Sequence, residues 1–223
     1  MSAFFVTATG TDIGKTYVTA GLLRHLRSKN ASAIKPVASG FTAETAAASD
    51  PVQLLQAMGE PVTAETLAHI APWRFAEPLS PDMAAAREGR IIDYVALLEF
   101  CRARIFAAKA PFFVEGVGGI MVPLDAHRTV RDWMAALGLP VVLVAGSYLG
   151  TISHTLTALD VLARARLSVA ALVVNETADS GVPLDETLAT LRRFAGSIPI
   201  ASIARNADDA AFAALWRALC PEH

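Results

Sequence analysis

The chain has 223 residues, which suits one sizeable domain with a full core. Hydrophobic residues make up 53 % and charged residues 18 %, so helices covering both faces of a buried sheet are expected. A net charge of −2 excludes a broad basic surface for nucleic acid or an acidic membrane.

No apolar run reaches the ~20 residues that span a bilayer, and the N-terminus lacks the basic start of a signal peptide. A cytoplasmic enzyme without nucleic-acid or membrane partners is therefore expected. Cys101 and Cys220 lie far apart without motif spacing, so neither a metal site nor a disulfide is expected of them.

In chain order, Phe4–Thr7 reads as a first buried strand. Behind it Thr9 to Thr16 read Thr-Gly-Thr-Asp-Ile-Gly-Lys-Thr, and an apolar-periodic helix follows over 15–28. Strand, glycine-bearing loop and Gly-Lys-Thr opening a helix is how a chain holds nucleotide phosphates. Lys15 would reach the outer phosphates and the Thr16 hydroxyl would coordinate Mg²⁺. The general pattern has a glycine where this chain has Thr9, with Gly10 next to it.

A second strand, Ala33–Lys35, runs into Lys35-Pro36-Val37-Ala38-Ser39-Gly40. A lysine ending an apolar strand either holds a phosphate, carboxylate or carbamate, or simply reaches solvent. Asp50, after a small-residue loop and before Pro51, is a helix cap or a metal carboxylate. Residues 58–92 look irregular, broken by Pro61, Pro72, Pro78 and Pro81, and such stretches are more often functional than idle.

A helix is expected over 93–109, then a strand Phe112–Glu115 followed by Gly116-Val117-Gly118-Gly119. An acid ending a buried strand is costly unless paired or metal-bound, which favours Glu115 as a Mg²⁺ ligand. The strand Val141–Ala145 leads to a helix over 150–165 opened by Gly150-Thr151-Ile152-Ser153-His154. Its free N–H groups suit a carboxylate, though capping by Ser147 or Thr151 explains the same residues. Val169–Val174, ending at Asn175 and Glu176, is next; Asn175 reads a purine edge or forms a turn. A helix at 185–195, the strand Ile198–Ile203 and a helix at 208–219 complete the pattern. The alternation predicts a doubly wound, mostly parallel sheet of about seven strands, with ligands at the carboxyl ends of the strands.

The Phe-Val-Thr before the loop, Gly-Lys-Thr, Lys35 to Gly40, Phe75-Ala76-Glu77-Pro78 with Ser80-Pro81, and Glu115-Gly116-x-Gly118-Gly119 together resemble the dethiobiotin synthetases. Lys-Pro-Val-Ala-Ser-Gly is the most specific of these, and the likeness covers most of the chain. It implies a single P-loop NTPase-like domain over 1–223. It also implies the penultimate step of biotin synthesis, in which 7,8-diaminononanoate, CO₂ and MgATP give dethiobiotin, ADP and phosphate through a carbamate and a carbamic–phosphoric anhydride.

By the same resemblance, Lys15 and Lys35 stabilise the transferring phosphoryl group and the carbamate. Thr16, Asp50 and Glu115 hold Mg²⁺. Asp12, Ile13, Gly14, Lys15, Thr16 and Tyr17 wrap the phosphates, and Gly116, Val117 and Gly118 line the nucleotide site beside Glu115. Asn175, with Glu176, reads adenine. Thr11 and Ser39 contact the substrate. The family works as a homodimer with substrate at the interface, so Gly150, Thr151 and Ser153 would receive the distal carboxylate in the partner's site. Family loops carry glycine at the position of Ala8 and often glutamate where this chain has Asp12, so a local change of loop path around Ala8 and Gly10 is expected.

The second candidate is a partitioning-type switch ATPase of the same fold. That group usually has a lysine at the position of Gly10 and a basic tail or face, neither of which this chain shows. An amide ligase acting on a corrinoid acid would need a further glutamine-hydrolysing domain.

Overall fold

The computed structural model describes residues 2–221. Six parallel strands form the central sheet: β1 (Ala3–Ala8), β2 (Ser32–Ile34), β5 (Phe112–Glu115), β6 (Val141–Gly146), β7 (Val169–Asn175) and β8 (Ile200–Ile203). Their order across the sheet is β2-β5-β1-β6-β7-β8. Two further short strands, β3 (Val37–Ala38) and β4 (Trp73–Arg74), pair with each other instead of joining it. The expected sheet of about seven strands is thus six plus a separate pair. Leaving the main sheet after β2 lets the chain fold over its carboxyl edge.

β1 is the central strand because both its faces are apolar. Successive strand residues point to opposite faces. Phe4 meets the ring of Trp216 edge-on at 6.2 Å, while Phe5 meets Trp133 edge-on at 4.9 Å. Trp216 lies on α9 (Asp209–Leu219) and Trp133 on α6 (Val130–Leu137), so helices cover both sides. The core is fully closed at Phe5, Val6, Leu143, Val144, Leu172 and Val173.

All five expected helices appear nearly as read: α1 (Lys15–His25, then a 3-10 turn), α5 (Tyr94–Ala107), α7 (Thr151–Arg164), α8 (Leu184–Phe194) and α9. The region read as irregular is not structureless. It holds α3 (Ala64–Ile70), β4 and α4 (Pro81–Arg87), after α2 (Asp50–Met58). These pieces are one or two turns long, too short for a helical period to show. Their prolines mark boundaries: Pro81 occupies the first turn of α4, where no N–H is missed, and Thr63 and Thr66 cap α3 reciprocally. α6 also escaped the sequence reading. Cys101 is buried core whose thiol is pushed up to about 12 by burial, and both cysteines are free. Among the described residues no helix is long and apolar enough to cross a membrane.

α1 lies against α9 at unusually close range. A Cβ built on Gly21 would fall 2.0 Å from the Phe212 ring. Phe212 is 5 % exposed and has nowhere to go. Gly21→Ala gains roughly 1 kcal/mol of helix propensity but forces overpacking that costs about 1–3 kcal/mol. The variant is expected to melt below wild type; a rise in its melting midpoint would contradict this close packing.

Candidate active site

β1, β5 and β7 end on one side of the sheet, and the polar residues at their carboxyl ends face a common cleft. The loop after β1 begins with the Thr9 N–H bonded to the Val144 carbonyl at 3.0 Å. It then turns through two left-handed residues, Asp12 (φ 56°) and Gly14 (φ 99°). Gly14 stands at the start of α1, and no side chain caps that helix. The free first-turn N–H groups and the helix dipole therefore make an anion site.

The left-handed backbone of this loop does not fall at Ala8 or Gly10. Ala8 closes β1, fully buried and extended, where a glycine's freedom has no use. Gly10 is not in the left-handed region; Asp12 and Gly14 are.

Glu115, the last residue of β5, is wholly buried. Its Oε1 accepts from the Thr16 hydroxyl at 2.7 Å and from Lys35 Nζ at 2.8 Å. Lys35 follows directly on β2 and is 1 % exposed. Its Nζ also donates to the Gly116 carbonyl at 2.8 Å and pairs with Asp50 Oδ2 at 2.8 Å. So Lys35 does not reach solvent.

Burial alone would lower the Lys35 pKa; Glu115 and then Asp50 outweigh it and raise the value, keeping the ammonium charged. Burial would raise Asp50, but Lys35 holds it below the usual carboxylate range. Asp50 is the first residue of α2, not its cap; Ser49 has that position.

Lys15 Nζ rests on the Gly10 carbonyl at 3.2 Å. Burial, and next the charge of Lys35, bring its pKa down to about 8.

One polar atom in this cluster has no partner. Glu115 Oε2 is buried without a hydrogen bond. With the Thr16 hydroxyl and the Asp50 carboxylate it makes an all-oxygen set of the kind a hard divalent ion takes. Among the described residues no group of three His, Cys, Asp or Glu is arranged for a metal. The set therefore suits an ion that takes its remaining ligands from phosphate and water, as Mg²⁺ does.

The cleft holds about 500 Å³ and is lined by Thr11, Lys15, Lys35, Ser39, Asp50 and Gly118, among others. Asp12, Gly14, Thr16, Tyr17 and Val117 border it as well. The segment from Lys35 to Phe41 meets the Phe75–Pro78 motif at its wall. The Gly40 N–H bonds the Glu77 carbonyl at 3.0 Å, and the Phe41 N–H bonds the Phe75 carbonyl at 2.9 Å. Phe41, Thr45, Ser49 and Gln53 also line the cleft and were not singled out from sequence. The small-residue run leading to Asp50 was the available signal.

Asn175 ends β7 and donates from Nδ2 to the Ile13 carbonyl at 3.0 Å. Glu176 Oε2 accepts from the Arg205 N–H at 2.9 Å, and the Tyr17 hydroxyl donates to the Arg205 carbonyl at 3.2 Å. These contacts draw the β8–α9 loop, which the sequence reading passed over, to the phosphate loop.

Gly150, Thr151 and Ser153 are not among the residues lining the Lys35 cleft. Gly150 (φ 96°) opens α7 with no side-chain cap. Thr151 is buried and its hydroxyl bonds the Gly146 carbonyl at 2.7 Å, so capping does not explain it. Leu149 beside them is 90 % exposed. His154 Nδ1 hydrogen-bonds the Tyr148 hydroxyl at 2.9 Å. His127 lies exposed in the loop before α6 and lines none of this cleft.

Residues 2–208 match the AAA_26 family, an AAA domain. Among solved structures, the cell-division ATPase MinD of Pyrococcus furiosus superposes with a TM-score of 0.56 at 17 % identity, over 92 % of this chain and 84 % of that one. The septum site-determining protein MinD of Pyrococcus horikoshii, complexed with Mg-ADP, gives 0.54 at 15 %. At such identities the likeness shows the fold, that of a P-loop NTPase. Relatives named ATP-dependent dethiobiotin synthetase are much nearer. That of Acidiphilium cryptum is 54 % identical over 89 % of this chain and 91 % of its own. That of Phenylobacterium zucineum is 46 % identical over 98 % and 95 %. Identity of this degree over nearly the full length of both chains goes far beyond a shared fold, and the chain belongs to the ATP-dependent dethiobiotin synthetases.

Proposed function

We propose that this protein carboxylates 7,8-diaminononanoate with CO₂ and closes the cyclic urea of dethiobiotin, converting ATP to ADP and phosphate. The observation that carries the reading is Lys35, a wholly buried ammonium between Glu115 and Asp50 in the cleft that Lys15 and Ser39 also line.

One substrate amine adds to CO₂ and loses a proton, giving a carbamate. A carbamate oxygen attacks the γ-phosphorus and ADP leaves. The second amine then attacks the carbonyl carbon, phosphate departs and a proton is lost as the ring closes. Lys35 holds the carbamate oxygens, and Lys15 with the free N–H groups of Ile13 to Tyr17 holds the phosphates. Fixed charges of this kind supply most of the catalysis in phosphoryl transfer. Thr11 and Ser39 orient the diamine. Thr16, Asp50 and Glu115 would hold Mg²⁺, which when bound would offset charge on the phosphates. Asn175 and Glu176 read the base, and Gly116 to Gly118 line the nucleotide site beside Glu115.

The distal carboxylate of the substrate goes to the uncapped start of α7 in a homodimer, Gly150, Thr151 and Ser153 of one protomer completing the cleft of the other. Their placement outside their own chain's cleft supports this arrangement. The cytoplasm, where ATP is made available, suits the reaction.

Incubation with MgATP, bicarbonate and diaminononanoate is expected to yield dethiobiotin by mass, and chelation of Mg²⁺ to stop it. ATP hydrolysis stimulated by DNA or lipid, with no dethiobiotin, would favour a switch ATPase instead. Lys35→Ala should lower turnover by about 10²–10³-fold, the usual cost of one lost charge-stabilising donor, while ATP affinity changes little. Turnover near wild type would remove Lys35 from its role.

The Lys15 pKa of about 8 sets a pH dependence. Below that value free Lys15 is already cationic and ATP binding takes up no proton there. Above it the free protein holds neutral Lys15, so binding must recover a proton. Affinity should then fall by up to about tenfold per pH unit. Calorimetry between pH 7 and pH 9.5 in buffers of differing ionisation heat measures both slope and proton uptake; a flat profile would contradict the assignment.

A further inference from the structure

The Asn175 side chain crosses from the end of β7 to the phosphate loop, joining residues 162 apart in sequence. A carbonyl oxygen only accepts, so the group facing Ile13 is the amide NH₂. Gly14, the next residue, shows a second and independent trace of this contact. A Cβ built there would lie 2.2 Å from Asn175 Nδ2 and 3.0 Å from its Cγ. The amide thus fills the space where a loop side chain would stand.

Among the described residues, Asn175 is the one side chain from outside residues 9–19 that bonds the backbone of this loop; Lys15 and Thr19, which bond the Gly10 and Lys15 carbonyls, belong to the loop and the helix it opens. The loop needs such a brace. It contains two glycines and a left-handed Asp12, and its N–H groups bind phosphate only when they converge.

We propose that Asn175 is a positioning residue for the phosphate loop. It presets the peptide planes around Ile13 and Gly14 and so acts on the triphosphate itself, in addition to facing the base. One amide N–H serves the loop; its second N–H and its Oδ1 stay free for a purine edge. Base and phosphate sites are then coupled through a single side chain. The inference rests on the nucleotide-binding reading above but not on the diamine chemistry.

A ligand without a base separates the two roles. Magnesium tripolyphosphate and MgATP are titrated into wild type, Asn175→Ala and Asn175→Leu. Leucine keeps about the same volume and lacks the donor. Both variants are expected to bind tripolyphosphate roughly threefold to tenfold more weakly, the range for one lost hydrogen bond. Their unligated melting midpoints should fall by no more than about 4 °C. The KM for ATP should rise with the kcat of the saturated enzyme nearly unchanged, a split that general unfolding would not give.

Tripolyphosphate affinity within twofold of wild type in either variant, with ATP affinity reduced, would overturn the proposal and leave Asn175 a reader of the base. Should the leucine variant not accumulate as folded protein, the alanine variant reads the same comparison. Wild type that binds neither ligand would overturn the nucleotide reading and this proposal with it.

Discussion

A lysine taken wholly out of water must be met by negative charge, and here that demand shapes the site. Lys35 Nζ has Glu115, Asp50 and the Gly116 carbonyl around it. These come from β5, α2 and the glycine-rich turn after β5, while Lys35 itself comes from the end of β2. Thr16, from α1, bonds the same Glu115 oxygen. One ionic cluster thus ties five parts of the chain to a single point at the carboxyl edge of the sheet. Removing Lys35 or Glu115, the two fully buried members, typically costs about 3–5 kcal/mol, because the other is left buried and unpaired. The arrangement is worth its desolvation only if the charges serve something beyond stability.

The rest of the architecture serves that point. The apolar strands need both faces covered, which places α6 under Phe5 and α9 under Phe4. The faces of the sheet are packed with apolar side chains, and the buried charges Lys15, Lys35 and Glu115 collect where strands end. The short pairing of β3 with β4 then bends the Lys35–Gly40 segment over the cleft, so Ser39 and Lys35 share a wall.

Much of this was visible in the residues. Long buried strands such as Val141–Gly146 announce themselves by unbroken apolar runs, and Lys35, Glu115 and Asn175 stood out as polar endings to such runs. What stayed hidden has physical reasons. Helices α3 and α4 span 7 residues each, about two turns, so periodicity had no room to appear among the prolines. The unusual loop backbone was sought at Ala8 and Gly10 because glycine signals freedom in a sequence. It lies at Asp12, since aspartate tolerates the left-handed region and leaves no such sign. Lys35 was ambiguous between solvent and site because its partners, Glu115 and Asp50, are remote in sequence. Contacts such as Asn175 to Ile13 depend on register and side-chain reach, which only the folded backbone supplies.

The central position of β1 carries a consequence for how the chain comes to be folded. Its neighbours are Phe112–Glu115 and Val141–Gly146, both from the second half of the chain. During synthesis the first strand emerges with Phe4, Phe5 and Val6 exposed and waits for partners not yet made. Parallel pairing of this long range is slow, and unsatisfied strand edges invite aggregation meanwhile. The same feature that roots the phosphate loop in the middle of the sheet therefore leaves apolar strand edges open until Gly146 has been made, so slow pairing competes with aggregation.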